Sequence, residues 1–178
     1  MRTGEGSDKK RQDQGFSLVE LLVVISIIMT MTGITVIGMG SYRGKVTERQ
    51  TRDVANELVV AQTAQQTKPG CFTASLVQDD QHYWNLVITR LMDGEELPSE
   101  FERKRLGSAN SLRITDDSGR TLSEDADGSY KSWRFDRESG ACVQGAGSIM
   151  FTGSGKTFRL TVYEATGRVE VRTVYSGR

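Results

Sequence analysis

Residues 21–40 read LLVVISIIMTMTGITVIGMG, a run without a single charge, and this run limits the chain's folding options more than any other feature. About 20 apolar residues, rising 1.5 Å each, are what a helix needs to cross a bilayer's hydrocarbon core. A cleavable secretory signal is the first competitor, because Lys9, Lys10 and Arg11 precede the run. Such signals carry an apolar stretch of only about 7–15 residues that ends at a small-residue cleavage site, whereas this one is longer and continues into a helical pattern. The expectation is a retained membrane helix. Over the whole chain Lys plus Arg balances Asp plus Glu at 23 each, which excludes the strongly basic footprint of a dedicated nucleic-acid binder. Outside the run the chain is polar and glycine-rich. It divides into a leader (1–15), a transmembrane helix (16–40), a soluble extension of that helix (41–68) and a β-rich globular domain (71–178).

The head of the run is Gly15-Phe16-Ser17-Leu18-Val19-Glu20. A carboxylate one turn inside a membrane helix costs roughly 2.5–3.5 kcal/mol at the bilayer centre, so Glu20 calls for a cationic partner. A basic polar leader, a glycine, Phe16, Glu20 four residues later and an unbroken apolar stretch together resemble the class III signal of type IV prepilins and type II secretion pseudopilins. The resemblance implies that a prepilin peptidase cuts between Gly15 and Phe16 and methylates the new Phe16 amine. It implies also that Glu20 pairs with the Phe16 ammonium of a neighbouring subunit during assembly, each charge offsetting the other's burial. The mature chain would cross the inner (cytoplasmic) membrane once, with its C-terminal domain on the periplasmic side. Its partners would be the peptidase, other pilins or pseudopilins, the inner-membrane assembly platform and membrane lipid. Many major pilins carry a proline in this segment; here there is none, which favours a pseudopilin or minor pilin. Gly33, Gly38 and Gly40 would soften the helix and permit close packing.

Beyond the run, Val54, Leu58 and Ala61 recur at helical spacing, widened by Ala55 and Val59, until Pro69-Gly70 stops the helix. The period then becomes two: Phe72/Ala74/Leu76, Trp84/Leu86/Ile88, Leu112/Ile114, Trp133/Phe135 and Phe158/Leu160/Val162 read as half-buried strands. Turn signals separate them at Asp93-Gly94, Asp117-Ser118-Gly119, Asp127-Gly128, Gly153-Ser154-Gly155 and Thr166-Gly167. Residues 157–163 and 168–174 read as a terminal hairpin. The charged stretch 93–111 reads as a solvated loop with a short helix. The predicted class is α+β: a long N-terminal transmembrane helix followed by an antiparallel β-sheet or small β-sandwich. This layout, closing on Ala165-Thr166-Gly167-Arg168, is similar to H-type minor pseudopilins and T/U-type minor fimbrial pilins.

Catalytic chemistry has little material. His82 is the one histidine and reads as a sheet residue. Gly153-Ser154-Gly155-Lys156-Thr157 lacks the earlier glycine of a phosphate loop, since Met150 stands there. Asp125, Asp127 and Gly128 lack the spacing and the later acidic ligand of a calcium loop. No cofactor, no metal and no enzymatic activity are expected. Cys71 and Cys142 are the only cysteines, and an exported domain sits where disulfides persist; a Cys71–Cys142 bridge is expected, two free buried thiols being the other outcome. The leading functional expectation is a structural subunit of a type II secretion pseudopilus or type IV pilus. The second is a DNA-uptake minor pilin that takes nucleic acid as a partner. For that role Arg168 and Arg172 could share a strand face, but Glu170 lies between them.

Overall fold

The computed structural model describes residues 17–174, the side chains of residues 33–44 excepted. The chain divides into two compact units, Met1–Met39 and Gly40–Arg178. Helix α1 spans Leu18–Thr67. Ser17 starts it: its hydroxyl accepts from the Val19 amide at 3.3 Å and its carbonyl from the Leu21 amide at 3.1 Å. The helix stops where Pro69 offers no amide and Gly70 turns to φ +101°.

In the second unit α1 buries a narrow stripe of Thr47, Thr51, Val54, Leu58, Ala61 and Gln65, spaced alternately by four and three residues. Val54 and Leu58 are wholly buried. Each contributes on the order of 2 kcal/mol by leaving water. The stripe joins a core built from two antiparallel sheets.

The first sheet holds five strands in the order β3-β2-β1-β5-β6: β1 Cys71–Gln78, β2 Tyr83–Leu91, β3 Ser99–Ser108, β5 Ser129–Phe135 and β6 Cys142–Gln144. The second holds β4 Arg113–Asp116, β7 Gly147–Gly153, β8 Lys156–Val162 and β9 Val169–Val174, in the order β4-β7-β8-β9. Phe72, Ala74 and Leu76 of β1, Trp84, Leu86 and Ile88 of β2, and Trp133 and Phe135 of β5 fill the core from the first sheet. Ile149, Phe151, Leu160 and Val162 fill it from the second. Trp84 spans the gap, its indole N–H donating to the Leu112 carbonyl at 3.0 Å. The protein is α+β, with two sheets sharing one core.

Two expectations change here. Residues 99–108, read as part of a charged loop with a short helix, form β3, a ten-residue edge strand. Its charges obscure the alternation because only Leu106 is buried and Phe101 half-buried, as suits an edge that must not pair further. His82 lies in the β1–β2 turn, exposed and at φ +58°, outside the strand that begins at Tyr83. Asp79 holds that turn by accepting from the Gln81 and Tyr83 amides at 3.1 and 2.8 Å. The terminal hairpin is present as β8 and β9.

Candidate functional site: the apolar head of α1

Within the first unit the described residues form the N-terminal part of α1. Every large apolar side chain from Leu18 to Met31 is exposed, from 44% at Ile25 to 79% at Leu18. Fourteen residues make roughly four turns, so these side chains point in all directions around the axis. A helix apolar all round belongs in lipid or inside a bundle. The hydroxyls on it are already satisfied. Ser26 donates to the Leu22 carbonyl at 2.9 Å, Thr30 to Ile27 at 2.9 Å and Thr32 to Ile28 at 2.6 Å. Turned inward on the backbone, they ask nothing of a solvent. Among the described residues no helix is long and apolar enough to cross a membrane. The described side chains of this run end at residue 32, and the rest of the expected span, 33–40 with Gly33, Gly38 and Gly40, lies outside them.

Glu20 sits in the first turn of α1, exposed, three residues after Ser17. Ser-x-x-Glu is the sequence of a capping box, and a carboxylate near unsatisfied amides is favoured by the helix dipole. This local reason for an acidic residue was readable from the spacing of Ser17 and Glu20. It adds to the expected pairing, because an exposed carboxylate remains open to a cation. Gly15 and Phe16, the expected cleavage and methylation positions, lie outside the described residues.

The expected Cys71–Cys142 bridge is not made; both are free thiols. Cys71 opens β1 on the side opposite Phe72, while Cys142 is buried in the core on β6. Strand β5 lies between β1 and β6. Two strand spacings of about 4.8 Å put the Cα atoms beyond the ~7 Å that a disulfide tolerates, on opposite faces as well. Burial pushes the Cys142 thiol up, and its Sγ donates to the Gln144 carbonyl at 3.0 Å.

The remaining candidates resolve into turns. Ser154 at φ +51° and Gly155 at φ +77° close the two-residue β7–β8 hairpin, a turn with both central residues left-handed. Asp127 accepts from the Ser129 amide and hydroxyl at 3.0 and 2.7 Å, which holds its carboxyl below the usual range. Among the described residues no group of three His, Cys, Asp or Glu side chains could hold a metal. On the outer face of the second sheet the arginines of β8 and β9 meet carboxylates. Arg159 lies 3.1 Å from Asp117, and Arg172 lies 2.8 Å from Glu170. Glu170 also accepts from the Tyr163 hydroxyl at 2.7 Å.

The prokaryotic N-terminal methylation motif, as a family model, matches residues 10–36. That match covers the basic end of the leader, the Gly15-Phe16 junction, Glu20 and most of the apolar run. It marks the chain as carrying a type IV pilin-like prepilin signal, the kind that a prepilin peptidase processes and that anchors a chain in the membrane by its N-terminal region. Comparison with curated proteins and with solved structures finds no match.

Proposed function

We propose that this chain is a minor pseudopilin or minor pilin, a structural subunit that joins a type II secretion pseudopilus or type IV pilus after processing and performs no catalysis of its own. The observation that carries the reading is the described head of α1: a helix apolar all round from Leu18 to Met31, whose hydroxyls are internally satisfied, opened by Ser17 and bearing among the described residues one exposed carboxylate, Glu20. Such a helix is solvated by lipid before assembly and by neighbouring helices after it. Cleavage at Gly15-Phe16 gives each subunit an ammonium, and Glu20 of one subunit receives the Phe16 ammonium of the next. The leader stays cytoplasmic, the inner membrane is crossed once, and the β-rich unit faces the periplasmic side, where it meets neighbouring subunits.

The DNA-uptake reading is weaker on this surface. Of the two arginines expected to serve it, Arg172 is already matched by Glu170, while Arg168 is exposed just before β9 begins, and neighbouring Arg159 is matched by Asp117, which leaves less cationic charge for phosphates.

Two measurements test the proposal. The mature mass from a host with the peptidase should correspond to a chain starting at methylated Phe16; an uncut leader beside active peptidase refutes it. Glu20→Gln should leave insertion and cleavage intact yet reduce recovery in sheared filaments, because breaking a buried ion pair costs about 3–5 kcal/mol. Native-like incorporation of that variant would remove the ion pair from the mechanism.

A further inference from the structure

We infer that β9 is a strand-pairing edge for a second copy of this chain, joined antiparallel across a two-fold axis centred on Val171. The four sheet edges differ sharply. β3 carries Glu100, Glu102, Arg103, Lys104 and Arg105, and its pairing to β2 is broken by two register shifts. β6 is three residues long. β4 is four residues long, and Thr121 bridges back to its Thr115. These are the ways natural sheets keep edges from pairing. β9 is less guarded: it carries two charges, Glu170 and Arg172, but no proline and no bulge, its six register pairs with β8 run in unbroken sequence, and three of its six residues are valine. Among the described residues it is the one sheet edge longer than four residues whose register is unbroken.

Its charges select the occupant. Glu170 and Arg172 share the outer face, two residues apart, with Val171 between them on the core side. When β9 meets its own copy antiparallel with Val171 opposite Val171, Glu170 of each chain falls opposite Arg172 of the other. The two ion pairs arise from one register, and the inner faces of both sheets stay on one side. A slip of two residues loses both pairs. The strand is therefore complementary to itself, the signature of an isologous contact. This surface lies in the second unit and stands apart from the filament reading. Dimerisation and filament incorporation are scored separately, so either can fail alone.

The test uses the full chain in detergent and sedimentation velocity over a concentration series. The native chain should show a concentration-dependent dimer. Glu170→Arg and Arg172→Glu, each alone, set like charges opposite each other twice and should weaken the dimer about tenfold. An equimolar mixture of the two variants should recover it as a heterodimer, since one strand then carries two cations and the other two carboxylates, and each cation faces a carboxylate at both positions. Within each variant the contact between positions 170 and 172 stays broken in the mixture, so recovery reports contact between chains and not repaired folding. A native chain that stays monomeric, single variants that dimerise like the native chain, a mixture that does not recover, or dimerisation only with a different pilin-like subunit would each overturn the inference.

Discussion

Gly167→Ala should be far more costly than Gly119→Ala, although both glycines are left-handed. Gly119 has φ +84° in the β4 turn, and a methyl there would meet nothing. The cost is the conformational one alone, about 1–2 kcal/mol. Gly167 has φ +62°, and a methyl there would run into the Gly140 carbonyl, the Gln62 amide and the Phe135 ring. Gln62 is the clasp between these parts. Its Nε2 donates to the Gly140 carbonyl at 2.6 Å and reaches the Thr166 carbonyl at 3.3 Å, tying α1 to two loops that lie 78 and 104 residues away in sequence. Displacing that amide adds the loss of a part-buried hydrogen bond to Gly140 and an exposed one to Thr166, about 1–3 kcal/mol in total. Gly167→Ala should therefore cost about 2–5 kcal/mol. Thermal unfolding followed by circular dichroism should fall by about 10 °C, against about 4 °C for Gly119→Ala. Equal falls at the two sites would refute the close approach and, with it, the clasp.

Leu58→Ala, at a wholly buried position on the α1 stripe, should destabilise the second unit by about 2–5 kcal/mol in urea unfolding, whereas Val59→Ala on the exposed side should have little effect. Alkylation of folded protein should label the half-buried Cys71 first and Cys142 only after denaturant, with no mass signature of a bridge in either state. Glu57 has an Oε2 that is buried without a partner, and burial, with Glu102 and Asp53 outweighing Lys104, pushes its pKa up. A raised folded pKa penalises the native state above that pKa and ceases to do so below the unfolded value of 4.5. Glu57→Gln should thus raise stability at neutral pH, and the gain should shrink as pH falls through the acid range. A gain independent of pH would show that the carboxylate's charge is not the cause.

The sequence made the helical stripe and the strands around Phe72, Leu86, Trp133 and Leu160 legible because each buries one face, and burial imposes the period of two or 3.6 on residue type. The same logic hid β3. An edge strand that must stay unpaired is selected for charge on both faces, and charge reads as loop. β7, with Ile149 and Phe151 between glycines and polar residues, is too short a pattern to stand out. His82 beside Tyr83 and Trp84 looked like strand, but the turn held by Asp79 runs through His82, and β2 begins only at Tyr83. Cysteine spacing says nothing of faces, so the pairing of Cys71 with Cys142 could not be tested until the β1-β5-β6 order was known. At the head of α1 the residues themselves were informative. Ser17 and Glu20 also form a capping pattern, a local role for the carboxylate beside the expected pairing with a cation.

Three glutamines on α1 hold the β-rich unit to its helix at separate heights: Gln50 to the Leu106 carbonyl at 2.6 Å, Gln62 to Gly140, and Gln65 to the Phe72 amide at 2.7 Å. All are neutral amides. A fastening made of charges would loosen with salt or with protonation, whereas an amide bonded to backbone changes with neither. A pull along α1 is thus divided among β3, the loop before β6 and the start of β1 through connections that hold the same strength in brine, fresh water or acid.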